Sequence, residues 1–404
     1  MLRPSATEPK APMPILLLSV FVDMLGFGII IPLLPFYAEY YGASAAQVTL
    51  LFATYSLTQF VASPLLGRLS DRIGRRPVIL GCLIGNAVAY TWFGLADTLV
   101  ALFVARALGG AMAGKLAVIQ AYVADITDHA GRARGMGRIG AAFGLGFILG
   151  PAAGGLLTRV GPAAVNYALP AFAAAGLSVL AFCLAVFLLP DSLAAGRRSG
   201  AGQRPPLAER LGRAFAFPGF ARLIVLFFVV GFVFSQVEAV WPLWVERRFG
   251  WGPLEVGYTF SGIGILIVTL QGFAIGPLSA RFGEHRLLVA ALAFLALGLA
   301  LAPLTNGLVL YVICVVLLCL GIGTSTPTMN SLASKSAAAD AQGGALGIAQ
   351  GVSALGRVAG PAWAGLVLEI LGIDWPFMIG AAIVFLALMA TARGVLSRGA
   401  TATN

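Results

Sequence analysis

The sequence predicts an all-α polytopic membrane protein, with twelve transmembrane helices in two pseudo-symmetric six-helix bundles. Three observations carry that prediction. The 404 residues are 59% hydrophobic and only 10% charged, against about 25% charged in a soluble domain. Apolar segments of spanning length recur at 14–38, 47–66, 77–96, 98–122, 135–158, 166–189, 220–246, 254–277, 287–304, 308–332, 343–369 and 373–394. Lipid offers the backbone no hydrogen-bond partners, so each such segment must satisfy itself as a helix. Finally, first-half motifs return in the second half. Leu69-Ser-Asp-Arg-Ile-Gly74 recurs as Leu278-Ser-Ala-Arg-Phe-Gly283, 209 residues on. Gly137, Gly146, Gly150-Pro151 and Gly155 recur as Gly347, Gly356, Gly360-Pro361 and Gly365, and Pro32 as Pro242.

These segments divide the chain into a tail at 1–13, a bundle at 14–189, a linker at 190–219, a second bundle at 220–394 and a tail at 395–404. The apolar run from Pro14 is long enough to span rather than be cleaved as a signal peptide. In the linker, Leu207, Leu211, Ala214 and Phe215 have the spacing of a short surface helix. The net charge of +10 follows orientation, not a nucleic-acid partner. With the N-terminus inside, 20 of the 26 Lys and Arg fall on the cytoplasmic side, only Arg159, Arg247 and Arg248 lie outside, and Arg106, Lys115 and Arg357 fall within apolar segments. That is the positive-inside asymmetry, with both termini cytoplasmic. Cys82, Cys183, Cys314 and Cys319 lie in apolar segments, without disulfide or metal-ligand spacing. His129 and His285 fall in predicted loops, which argues against a histidine proton relay.

Charge is densest at Ser63-Pro-Leu-Leu-Gly-Arg-Leu-Ser-Asp-Arg-Ile-Gly-Arg-Arg-Pro77, read as the loop between segments 2 and 3. Pro77 suits the first turn of the following helix, where a missing N–H costs nothing. The pattern of Gly67, Asp71, Arg72, Gly74, Arg75, Arg76 and Pro77 is more specific than a basic loop requires. It resembles the loop between helices 2 and 3 of the major facilitator superfamily, especially its 12-helix drug/proton antiporter branch. The resemblance implies a cytoplasmic gating motif, a central cavity lined by helices 1, 4, 7 and 10, and no cofactor.

Segment 1 carries Asp23-Met-Leu-Gly-Phe-Gly-Ile-Ile-Ile-Pro-Leu-Leu-Pro35. A carboxylate in an apolar helix is expensive and by default functional, although it can also serve to pair a cation or cap a helix. The run resembles helix 1 of tetracycline-resistance efflux proteins. Segment 4 holds Arg106, followed by small residues as in the family's helix 4, and Lys115, for which those relatives offer no counterpart. Asp23 lies about 14 Å from the inner end of segment 1, and Lys115 about 15 Å from that of segment 4. At equal depth they are expected to pair, since an isolated buried charge would neutralise.

Segment 5 contains Gly146, Gly150, Pro151, Gly154 and Gly155, which resemble the helix 5 motif of antiporters and also form a plain small-residue packing face. Segment 7 supplies Glu238, about 12 Å below the outer surface, as a second proton-site candidate beside the plainer reading of a locally satisfied acid. Gln236 and Trp241 are candidate substrate contacts there; Trp241 and Trp244 suit either an apolar wall for cargo or an interfacial aromatic belt, the belt being the favoured reading for Trp244. Segment 10 adds Ser325, Thr328 and Asn330 as cavity-wall candidates around Pro327, and segment 11 adds Arg357, a partner for Glu238 or for a substrate anion. Glu246-Arg-Arg-Phe-Gly-Trp251 continues the resemblance to tetracycline exporters, but the acids those proteins carry in helices 3 and 9 are missing. Leu278–Arg286 is a degenerate copy of the gating motif, with Ala280 in place of Asp71, so the latch is expected mainly in the first half.

No nucleophile–base set, metal cluster or phosphate loop points to an enzyme. The expected activity is secondary active transport, namely proton-coupled export of an amphiphilic small molecule by alternating access from a bacterial inner membrane, by a monomer whose only other partner is lipid. The alternatives are a facilitator or importer of a small metabolite, or an exporter of a lipid-like molecule.

Overall fold

The protein is described by a computed structural model covering residues 12–127, 129–160, 165–190, 219–335 and 342–401. The short surface helix expected at 207–215 lies outside the described residues. Among them, twelve helices are long and apolar enough to cross a membrane. In chain order they are α1 (Met13–Ile30), α2 (Ala45–Ile73), α3 (Arg75–Gly94), α4 (Leu99–Ile126), α5 (Arg134–Leu157) and α6 (Ala168–Leu188). The second half comprises α7 (Phe220–Phe249), α8 (Pro253–Phe282), α9 (Glu284–Leu304), α10 (Leu308–Lys335), α11 (Gly344–Leu371) and α12 (Trp375–Arg393). A short helix, Leu34–Tyr40, resumes after α1.

The chain forms two compact units, residues 1–33 with 58–202, and residues 34–57 with 203–404. The first unit is cored by Leu16, Val20, Ile79, Leu83, Ile119 and Tyr122, from α1, α3 and α4. In the second, α7 lies against α11 and α9 against α10 at points where glycine removes the side chain. A Cβ on Gly321 would come within 2.7 Å of the Leu295 backbone. The segment 34–57 packs in this second unit: Ser44 Oγ donates to Glu369 (3.2 Å), and Arg247 pairs with Glu39 (3.6 Å).

Two departures from the sequence reading matter. The densely charged stretch from Ser63 is not a loop. α2 continues through Asp71 and Arg72 to Ile73, α3 starts at Arg75, and Gly74 alone joins them. Arginines on an exposed helical turn need no loop to reach water. Gly74 has φ 103°, and its repeat Gly283, between α8 and α9, has φ 77°. A side chain is disfavoured at such angles, so glycine is what permits each one-residue turn. His285 likewise sits in the first turn of α9 rather than in a loop.

The second departure is in α8, which changes to a π-helical turn at Leu270–Ala274. Pro327 in α10 lacks the N–H that would bond the carbonyl four residues earlier, at Gly323. Gln271 Nε2, on the π turn, donates to that carbonyl (3.1 Å).

Candidate functional site

The most unusual chemistry of the first unit is one buried polar cluster. Lys115 Nζ lies 2.5 Å from Asp23 Oδ1, and Asn86 Nδ2 donates to the same oxygen at 2.9 Å. Lys115 is fully buried, and Asp23 and Asn86 are 8% and 3% exposed. Local structure sets this up. α4 breaks at Gly114, so Lys115 opens its second helical piece. A Cβ on Gly114 would lie 2.9 Å from Ser63 N, so glycine also allows close approach of α2. On α1, Gly26 leaves room for Tyr90 of α3, one turn beyond Asn86; a Cβ there would lie 2.7 Å from the Tyr90 hydroxyl. Arg106, also buried, stacks its guanidinium over the Phe27 ring at 5.9 Å.

Gly146, Gly150 and Gly154 of α5 face α1. A Cβ on Gly146 would meet Phe21 O at 2.7 Å, and one on Gly150 would meet Leu25 O at 2.6 Å. Gly154 abuts Ile29, and Gly28 of α1 abuts Pro151. Their repeats do the same in the second unit, where Gly356 lies against Phe228 O and Phe232 N of α7, and Gly360 against Phe232 O. Backbone contact of this kind brings α1 and α5 as close as helices pack.

In the charged motif, Arg75 is the hub. Its guanidinium reaches Asp71 (2.6 Å), Asp125 (3.1 Å) and Ser70 Oγ (2.6 Å), and Ser70 donates in turn to Gly67 O (2.7 Å). Arg76 donates to Val186 O of α6 (2.5 Å), while Arg72 is exposed. The second unit has its own staple, which the degenerate motif concealed. Glu284 of α9 pairs with Lys335 at the end of α10 (2.7 Å) and accepts from Ser331 (2.5 Å). Glu284 is the repeat of Arg75, and Lys335 that of Asp125, so the pair is kept with its charges exchanged.

The other sequence candidates lie in the second unit. Glu238 is half-buried and interacts electrostatically with Arg357 of α11, which is exposed and also near Tyr55. Gln236 is fully buried and donates to Pro376 O (2.5 Å). Ser325 and Thr328 are buried with their hydroxyls turned onto their own helix, at Gly321 O and Thr324 O. Asn330 is half-buried and accepts from Gln350 (3.0 Å). Trp241 is 1% exposed and donates to the Tyr311 hydroxyl (3.3 Å). Trp244 does not join an interfacial belt. It is fully buried among Trp241, Phe249 and Phe377, and Asp374, paired with Arg248, accepts from its indole N–H (3.0 Å). Among the described residues, no cluster of three or more His, Cys, Asp or Glu is placed to hold a metal ion.

Sequence reasoning missed Asn86, a neutral residue in a run of small ones, and Glu284 with Lys335. The repeat offset applied to charge rather than to identity would have found the latter pair.

Comparison with known proteins agrees with this architecture. The family description Major Facilitator Superfamily matches residues 16–361 and also 239–401. The class C tetracycline resistance protein of Escherichia coli is 34% identical over 96% of this chain and 98% of its own. Multidrug resistance protein 2 of Bacillus subtilis (strain 168) is 28% identical, with 96% of each covered. Among solved structures, the human organic anion transporter MFSD10 (TETRAN) superposes with a TM-score of 0.70 at 25% identity, covering 94% of this chain and 98% of its own.

Proposed function

The chain belongs to the major facilitator superfamily, and from that premise we propose that it exports amphiphilic drugs or related compounds in exchange for protons. It is a multi-pass integral membrane transporter that resembles tetracycline and multidrug efflux proteins, and it is not an enzyme. The observation that carries the proton reading is the buried Asp23–Lys115 pair. An ion pair taken out of water survives only with tight geometry and added hydrogen bonds, and here Asn86 supplies one. A proton added to Asp23 cancels the carboxylate charge and loosens its hold on Lys115. The balance between two conformations of the transporter then depends on which side of the membrane the proton came from. Loading from the acidic outside and release inside would drive cargo outward. Glu238 beside Arg357 is the second proton candidate.

Gln236, Trp241, Ser325, Thr328 and Asn330 are proposed to line the cargo path when the two six-helix bundles rock about the linker. The Gly67–Arg76 motif is proposed to gate its cytoplasmic end. The chain would work as a monomer in a bacterial cytoplasmic membrane, with both termini inside. One observation favours a narrower cargo class: Arg357 is an exposed cation in an apolar helix, suited to an anionic amphiphile. MFSD10 is itself an organic anion transporter.

The test is efflux driven by an imposed pH gradient in inverted membrane vesicles, using a panel of cationic and anionic dyes and antibiotics. Wild type is expected to accumulate at least one compound only when the gradient is present. Asp23→Asn should abolish that dependence, and Glu238→Gln should weaken it. Equal accumulation with and without a gradient would leave a facilitator.

A further inference from the structure

We propose that Asn86 is a positioning residue for proton exchange at Asp23: it holds Oδ1 together with Lys115, leaving Oδ2 as the oxygen that takes the proton. This rests on the reading of Asp23 as a proton site and adds to it the atom and the residue that selects it. The Asn86 amide and the Lys115 ammonium both donate to Oδ1, at 2.9 Å and 2.5 Å. An oxygen already accepting two donors, one of them cationic, is the poorer base of the two.

Helix spacing places Asn86 for this task. Cys82, Asn86 and Tyr90 follow one face of α3 at four-residue intervals. Cys82 lies in the electrostatic field of both Asp23 and Lys115, and Tyr90 packs over Gly26. Of the three, Asn86 supplies the hydrogen bond to the carboxylate. Counted by the repeat offset of 209 or 210, the second half has Phe232 or Val233, Leu295 or Ala296, and Thr324 or Ser325 at the positions of Asp23, Asn86 and Lys115. The cluster is therefore an addition of the first half and not a packing element of the repeated fold. Protonation forms one O–H bond at Oδ2 and removes the carboxylate charge. Both donors then lose an anionic acceptor together.

The experiment is an infrared titration of the Asp23 carboxyl in full-length purified protein, with Asp23→Asn subtracted as the blank. Asn86 stabilises the charged form, so Asn86→Leu should move the titration midpoint up by about one pH unit, tenfold in proton affinity. Asn86→Ser keeps a short donor and should move it less than Asn86→Ala. Should Asn86→Leu fail to accumulate, the Ala and Ser pair decides alone. A midpoint unchanged in Asn86→Leu, or equal shifts for Ala and Ser, overturns the proposal. Wild-type transport that ignores a pH gradient would instead overturn the exchange reading, whatever the infrared midpoints show.

Discussion

Lys115 and Asp23 set the residue-scale expectations. Removing one partner of a buried pair strands the other charge, at a cost of about 3–5 kcal/mol. Lys115→Met is therefore expected to lower the melting temperature in detergent and to abolish gradient-driven transport. The double change Asp23→Asn with Lys115→Met removes both charges. It should recover most of the lost stability while transport stays uncoupled, and a double change that melts below Lys115→Met alone would contradict the pair. This pair was legible in the sequence because two intramembrane charges at equal depth on neighbouring helices have few other partners. Asn86 was not: a buried amide must be bonded, but being neutral it can find a partner on any adjacent helix, so nothing in the sequence pointed it to Asp23. Trp244 was misplaced because tryptophan near a helix end suits an interface equally well, and only tertiary structure supplies Asp374 as its acceptor.

Helix packing is decided at glycines. A Cβ on Gly150 would sit 2.6 Å from Leu25 O and 2.9 Å from Gly28 Cα, both backbone atoms that cannot rotate away. Gly150→Ala should thus cost about 1–3 kcal/mol in thermal stability and impair transport. Gly137→Ala in the same α5 meets nothing within 4 Å and should be neutral. The two staples should also differ. Lys335 is 69% exposed, so exchanging the charges of Glu284 and Lys335 should cost little beyond the Ser331 hydrogen bond to Glu284, about 1 kcal/mol. The same exchange at Arg75 and Asp125 cannot restore the contacts of Arg75 with Asp71 and Ser70. It should reduce both stability and transport, as melting curves and vesicle uptake would show. Twelve helices could be read from hydropathy alone, but the extent of α2 could not. Its last turns carry Arg68, Asp71 and Arg72, which hydropathy scores as a loop although they continue the helix.

For the whole molecule, charge distribution predicts orientation. In a cysteine-free background, Ser44→Cys should react with an impermeant maleimide in intact cells and Arg72→Cys only in inverted vesicles; the reverse pattern would invert the proposed topology. The repeat that revealed two related halves also hid a difference between them: Ala280 marks the second copy of the charged motif as degenerate, yet Glu284 and Lys335 keep an ion pair there with the charges exchanged. The π turn was invisible for a similar reason, since nothing in Leu270–Ala274 distinguishes it from regular helix until Pro327 is seen to release the Gly323 carbonyl. Because Gln271 donates to that carbonyl, bending of α10 at Pro327 is linked to α8, the least buried of the twelve spans among the described residues. Turnover is therefore expected to respond to bilayer thickness and stiffness as well as to cargo, as transport in vesicles of different acyl-chain length would show.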